Sequence, residues 1–269
     1  MNAVPVSDIE SARRRENMLR EMNLYPLWQL RGAPAIANMP EVMVVTAPAP
    51  VAAAELQVEK AVAIEIQQAG IGNLGWTELK KRVQDCTACK LRSGCTQTVF
   101  GTGDEKADWL FVGSWPTEDD DAKGEPFAGQ AGQLLDNMLA AIKLKRGSNV
   151  YLANVVKCSG AVQHAPKVDE IAQCLPYLAR QIQLIQPRVI VALGHAAATA
   201  LLGEDREWSN LLGKIHGYKG FVKDGSQAEI PLIITHHPAA LLLTPPNKAQ
   251  TWRDLCLARE TMQQLVSGA

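Results

Sequence analysis

This chain lacks an excess of charge of either sign. Among its 269 residues, 27 lysines and arginines face 28 acidic residues, a formal net charge of −1. A whole-molecule attraction to nucleic acid or anionic lipid is thereby excluded, so any contact with DNA must come from a local face. The chain also lacks an apolar run long enough to span a bilayer, and its N-terminus lacks the basic-then-apolar pattern of a secretory leader. The expectation is a cytoplasmic protein with no membrane association. Aromatic residues are scarce at 5%, so each Phe or Trp beside a motif carries information. Apolar residues nonetheless make up 47% of the chain, enough for a full core in one large domain, or in a domain plus an extension.

Cysteine is present six times. In a reducing compartment Cys86-x2-Cys89, with Cys158 and Cys174 far downstream, reads as a metal site before it reads as disulfides. By softness, four thiolates suit zinc or an iron–sulfur cluster equally well. Cys95 is the substitute if this set is wrong. Cys256 falls on an apolar helical face, as a packed thiol does.

Three segments follow from the pattern. Residues 1–32 form an N-terminal peptide: Ser7 and Glu10 make a capping-box pattern before a helix from Asp8 to about Asn23. Residues 33–75 are an Ala/Pro-rich linker with a short helix over 55–69. Residues 76–269 alternate strands and helices. Thr77 caps a helix carrying Cys86. Strands are predicted at 108–113, 149–156, 188–194 and 231–235, and helices at 129–142, 168–185, 195–202 and 248–265. Continuous apolar strands between helices predict an α/β fold in three layers, α/β/α, around a central four-stranded parallel sheet. Ligands of such sheets sit beyond the C-terminal strand ends.

At those ends stand Gly113-Ser114-Trp115-Pro116-Thr117-Glu118-Asp119-Asp120-Asp121, then Gly124-Glu125-Pro126-Phe127-Ala128-Gly129-Gln130-Ala131-Gly132, then Asn154, and then His236-His237-Pro238-Ala239-Ala240-Leu241-Leu242. With VIVALG and the ordered cysteines, they resemble the family 4 uracil-DNA glycosylases, the iron–sulfur branch of their superfamily, from about Trp76 onward. The resemblance implies hydrolysis of the N-glycosidic bond of deoxyuridine in DNA after base flipping. It implies a 4Fe-4S cluster on Cys86, Cys89, Cys158 and Cys174, with zinc as the alternative occupant. Phe127 is implied to stack on the base, and Asn154 to read its Watson–Crick edge by donating and accepting at once. His237 would stabilise charge on the departing uracilate. Asp120 would orient water or stabilise an oxocarbenium-like sugar. Gly129, Gln130 and Gly132 would offer N–H groups at a helix start, and Leu241 and Leu242 would wedge into DNA.

The first motif departs from the family. Ser114 stands in place of Glu, Trp115 in place of a small pocket-lining residue, and Thr117 in place of Gly. An indole is far larger than a methyl, and packed interiors do not absorb such volume freely. Trp115 is therefore expected to occupy much of the base pocket, facing Phe127 and Asn154. Leu212 and Leu243 stand where the family carries arginines.

A second function class is a catalytically inactive glycosylase-fold scaffold in the replisome. Residues 13–31 are similar to the N-terminal peptide of the psi subunit of the bacterial clamp loader. Leu24, Leu27, Trp28 and Leu30 would then bind a partner groove, with Trp28 as anchor.

Overall fold

Five-residue apolar runs are too short for buried helices, and here they become strands covered on both faces. The computed structural model describes residues 70–160, 166–221 and 227–267. Among them run β1 (Thr102–Gly103), β2 (Trp109–Gly113), β3 (Val150–Asn154), β4 (Val189–Leu193), β5 (Ile215–Phe221) and β6 (Gln227–Thr235), in the spatial order β1-β3-β2-β4-β6-β5. Strand β2 pairs in parallel with β3 and β4, and β4 in parallel with β6. The outer strands β1 and β5 pair antiparallel with β3 and β6. The sheet is therefore mixed and six-stranded, where the sequence predicted four strands. The two additions escape pattern reading for a physical reason: β1 has only two residues, and glycines, His216 and Lys219 interrupt the apolar alternation of β5.

The helices are α1 (Trp76–Gln84), α2 (Glu118–Lys123), α3 (Gln130–Ala141), α4 (Val168–Ile185), α5 (His195–Leu202), α6 (Pro238–Leu243) and α7 (Lys248–Ser267). Side chains alternate along each strand and split the core in two. Leu110 and Val112 of β2 join Leu178 and Ile182 of α4 and Ala198 of α5. Trp109 and Phe111 join Leu135 and Leu139 of α3 and Leu255 of α7 on the other face. A third cluster seats α1 on α4 through Leu79, Val83 and Tyr177.

Two helix ends differ from the sequence reading. Gly75 caps α1 in place of Thr77, and its N–H donates to Glu78 Oε2 at 3.1 Å. Cys86 lies just beyond that helix instead of on it. The end of β6 is set by a buried carboxylate: Thr235 Oγ1 donates to Asp254 Oδ2 at 2.8 Å, while Asp254 Oδ1 accepts the Gly213 N–H at 3.0 Å. No helix among the described residues is long and apolar enough to cross a membrane. Leu24, Leu27, Trp28 and Leu30, with the clamp-loader reading built on them, lie outside the described residues.

Candidate functional site

The loop between α2 and α3 carries Phe127 in the left-handed region, at φ 59. That conformation costs a bulky residue on the order of 1–2 kcal/mol, so the surroundings must impose it. Arg146 does so from behind, donating to the Pro126 and Phe127 carbonyl oxygens at 2.9 and 3.0 Å while its Nε bonds Asp136 Oδ1 at 2.9 Å. Asp120 holds the front: Oδ1 accepts the Ala128 N–H at 2.6 Å and Oδ2 accepts the Thr117 N–H at 3.0 Å. Gly132 completes the fit, because any Cβ there would collide with the Phe127 carbonyl oxygen. The loop thus presents a ring that is only 6% exposed.

Phe127 and Asn154 meet over the end of β2. A Cβ on Gly113 would collide with both Asn154 Oδ1 and the tip of the Phe127 ring. Asn154 is buried as the last residue of β3, and its Oδ1 has no hydrogen-bond donor. A buried acceptor without a partner costs about 1–3 kcal/mol and calls for an explanation. The backbone of Asn154 is anchored by Lys157, whose Nζ donates to the Asn154 carbonyl and to Gln181 Oε1, each at 2.7 Å. Burial pushes the Lys157 ammonium down to about 7, against the attraction of the Cys174 thiol.

His237 closes the third side. Its ring lies 5.7 Å from that of Phe127, centroid to centroid. Burial drives the imidazole down to about 4, although the Asp120 carboxylate pulls the other way. Nδ1 accepts the Ala239 N–H at 3.2 Å, so the ring is neutral and its hydrogen is on Nε2. Both Asp120 oxygens already hold backbone N–H groups, and the carboxylate acts on the site through the loop and through the imidazole.

The large open cavity lies beside this corner. About 980 Å³ in volume, it is lined by Ser114, Trp115, Gly194, His195, Trp208, His236 and His237 among others, but by neither Phe127 nor Asn154. Trp115 is half-buried and packs on the apolar cluster of the α4–α5 face, whereas Phe127 belongs to the opposite cluster. The indole thus stands at the cavity wall, and no ring contact joins it to Phe127 among the described residues.

Leu241 is reassigned: at 1% exposure it belongs to the core with Phe127 and Leu255 and cannot wedge into DNA, while Leu243 is 86% exposed. The six-residue α6 turns its first and fourth residues, Pro238 and Leu241, inward and its last outward. Gly129 is the N-cap of α3 and Gln130 its exposed first residue. A Cβ on Gly129 would meet Asp119 Oδ2, so a carboxylate of the protein already sits at that helix start. Gly132, read from the sequence as an N–H donor at a helix start, instead makes room for the Phe127 carbonyl oxygen. Arg146 and Lys157 were not singled out from the sequence, and their partners at Asp136, Phe127 and Gln181 stand 10, 19 and 24 residues away, which no local motif marks.

The cysteines gather at the other side of β3. Cys89, Cys95, Cys158 and Cys174 belong to one apolar cluster, and Cys86 packs beside Tyr177 in the neighbouring one. All are free thiols. Burial raises Cys158, with added repulsion from Cys95, Cys174 and Cys89. Burial raises Cys174 to about 11, while the Lys157 N–H and ammonium oppose it and Cys89 and Cys86 add to it. Cys174 thus lies within electrostatic reach of Cys86, Cys89 and Cys158, with the Lys157 N–H beside it.

Residues 100–257 match the family model of the uracil DNA glycosylase superfamily. The chain is 38% identical over 172 residues to a type-4 uracil-DNA glycosylase of Archaeoglobus fulgidus, covering 62% of this chain and 83% of the relative. It is 39% identical over 168 residues to the type-4 enzyme of Sulfurisphaera tokodaii, covering 62% and 76%, and 35% identical over 182 residues to that of Pyrobaculum aerophilum, covering 67% and 91%. The strand-end corner and these matches together place the chain in the uracil-DNA glycosylase superfamily, as a type-4-like member with a DNA repair function.

Proposed function

We propose that the protein removes uracil from DNA by hydrolysing the N-glycosidic bond of a flipped deoxyuridine. The observation that carries this is the buried, unpartnered Asn154 Oδ1, set against the Phe127 ring and beside a neutral His237. Uracil offers N3–H as a donor with O4 next to it. Asn154 Oδ1 accepts the former and its amide N–H donates to the latter. Cytosine has an acceptor at N3 and leaves Oδ1 unsatisfied, the kind of mismatch that discriminates strongly. As the C1′–N1 bond breaks, its electron pair passes to the base, and negative charge reaches O2. His237 Nε2–H meets that charge as a neutral donor that needs no reorganisation. Water adds to C1′ and releases its proton to solvent. Asp120 holds the loop and stabilises the developing positive charge at a distance.

The thiols fit a 4Fe-4S cluster on Cys86, Cys89, Cys158 and Cys174. The likeness to type-4 uracil-DNA glycosylases, the iron–sulfur branch of the superfamily, supports the cluster over zinc. Such a group would tie the segment after α1 to β3 and α4, a structural part. Asn154→Ala should cut uracil release from single-stranded DNA by on the order of 10²–10³, measured with anaerobically purified protein. Release at the wild-type rate would place the base elsewhere.

A further inference from the structure

The cavity beside His237 is larger than one pyrimidine needs, and its walls do not read one. About 980 Å³ stands at the top of the roughly 300–1,000 Å³ range of small-molecule sites. It shares Ser114 and His237 with the corner described above but holds neither Phe127 nor Asn154. Its distinctive walls are the indoles of Trp115, after β2, and Trp208, in the turn after α5. Trp208 is preset by edge-to-face contacts, its ring centroid 5.7 Å from that of His195 and 5.3 Å from that of His236. His195 is itself held at 3.0 Å by the Arg206 carbonyl, so little side-chain freedom remains to be lost on binding. Asp205, Arg206 and Glu207 stand in the same wall, and with Arg206 paired to Glu204 the wall offers no excess of positive charge to a phosphate. An occupant suited to these walls is planar, uncharged and π-rich.

We propose that the Trp115–Trp208 cavity is a stacking subsite for the nucleobase adjacent to the flipped uracil, and that the favoured substrate is single-stranded DNA. The inference rests on the excision reading, since His237 borders both sites and the DNA backbone carries the neighbouring base into the next cavity. In a duplex that neighbour is paired and stacked, so drawing it out adds to the cost of flipping. In a single strand the transfer exchanges one stack for another, and every base has a π face to offer. Stacking also suits a chain in which Leu212 and Leu243 stand where the family carries arginines, for it holds the strand by its bases where phosphate contacts are missing.

The test uses the full chain and short single strands carrying 2′-fluoro-deoxyuridine, which resists hydrolysis, with fluorescent 2-aminopurine on its 5′ or 3′ side. Binding should quench the probe on one side. Trp208→Ala should abolish most of that quench and weaken binding about five- to hundred-fold, the range of base–aromatic stacking. Trp208→Phe should retain both, which separates stacking from misfolding. Replacing the flanking base with an abasic site should weaken the wild type by a similar factor and leave Trp208→Ala unaffected. A quench and affinity indifferent to Trp208→Ala, or an abasic flank that costs nothing on either side, overturns the subsite. Uracil release with a Trp208-independent quench refutes the subsite alone. A Trp208-dependent quench without release refutes excision alone, and failure to bind any single strand refutes both.

Discussion

Gly132→Ala tests whether the Phe127 loop is imposed by its neighbours. In most helices this exchange stabilises by about 0.5–1 kcal/mol, because alanine loses less backbone entropy. Here the new Cβ collides with the carbonyl group of Phe127, which is backbone and not a yielding side-chain tip. Relief requires the first turn of α3 to move, or the loop to leave Arg146 and Asp120. Overpacking costs about 1–3 kcal/mol, and losing a hydrogen bond to the charged Arg146 about 1.5–3 more. Part of that strain relaxes, and a net destabilisation of about 2–4 kcal/mol follows. For a domain of this size Tm should fall by roughly 4–16 °C. Gly75→Ala is the control: nothing lies within 4 Å of a Cβ there, and as an N-cap exchange it should cost no more than about 1 kcal/mol. Urea unfolding followed by tryptophan fluorescence measures both. Uracil release should fall as well, since a displacement of about 1 Å in a positioning group can cost up to 10²-fold. A Gly132→Ala protein as stable as wild type, or more so, refutes the argument that the loop is held by close fit.

His237→Ala should lower uracil release by on the order of 10²–10³, and the wild-type rate should hold from neutral pH until an acid limb near the imidazole's value of about 4; a limb near 6.5 would contradict the burial. The same histidine links stability to pH: the unfolded chain takes up its proton near pH 6.5 and the folded one only near 4, so its contribution is full above about pH 6.5 and is lost as pH falls toward 4, readable in urea midpoints. Asp120→Asn should move the kinetic limb to still lower pH, because the carboxylate is what favours the imidazolium; a limb that does not move refutes that coupling. Cys158→Ser should abolish the broad absorption near about 400 nm expected of the cluster and reduce solubility, whereas Cys95→Ser should keep the colour; the reverse pattern would put Cys95 in the ligand set.

The interior strands were legible because each is an unbroken apolar run: WLFVG, VYLAN and VIVAL are buried at every position. The strand-end motifs were legible for the same reason, since a parallel sheet sends Gly113, Asn154 and the segment after Thr235 to one edge. What sequence could not give was direction. Leu241 and Leu243 are both apolar, and only the docking of α6 decides which is core. Trp115 has the volume to fill a pocket, but it packs against the cluster on the α4–α5 face and lines the cavity beside the corner. Lys157 reads as a surface lysine until the fold brings Gln181 and the Asn154 carbonyl to it.

The margins of the sheet bear on how this chain meets other chains. A free strand edge is a template for another backbone, and long apolar edges invite self-assembly. On one side the margin is β1, two residues long, where a Cβ on Gly103 would collide with the Val150 carbonyl and one on Gly101 would crowd the Tyr151 ring. On the other it is β5, which carries Gly217 and Gly220 with Lys219 between them. Neither margin offers a flat apolar ladder, so the sheet ends where the chain ends it. Among the described residues, the helices and loops therefore offer a better surface for partner contacts than either sheet margin does.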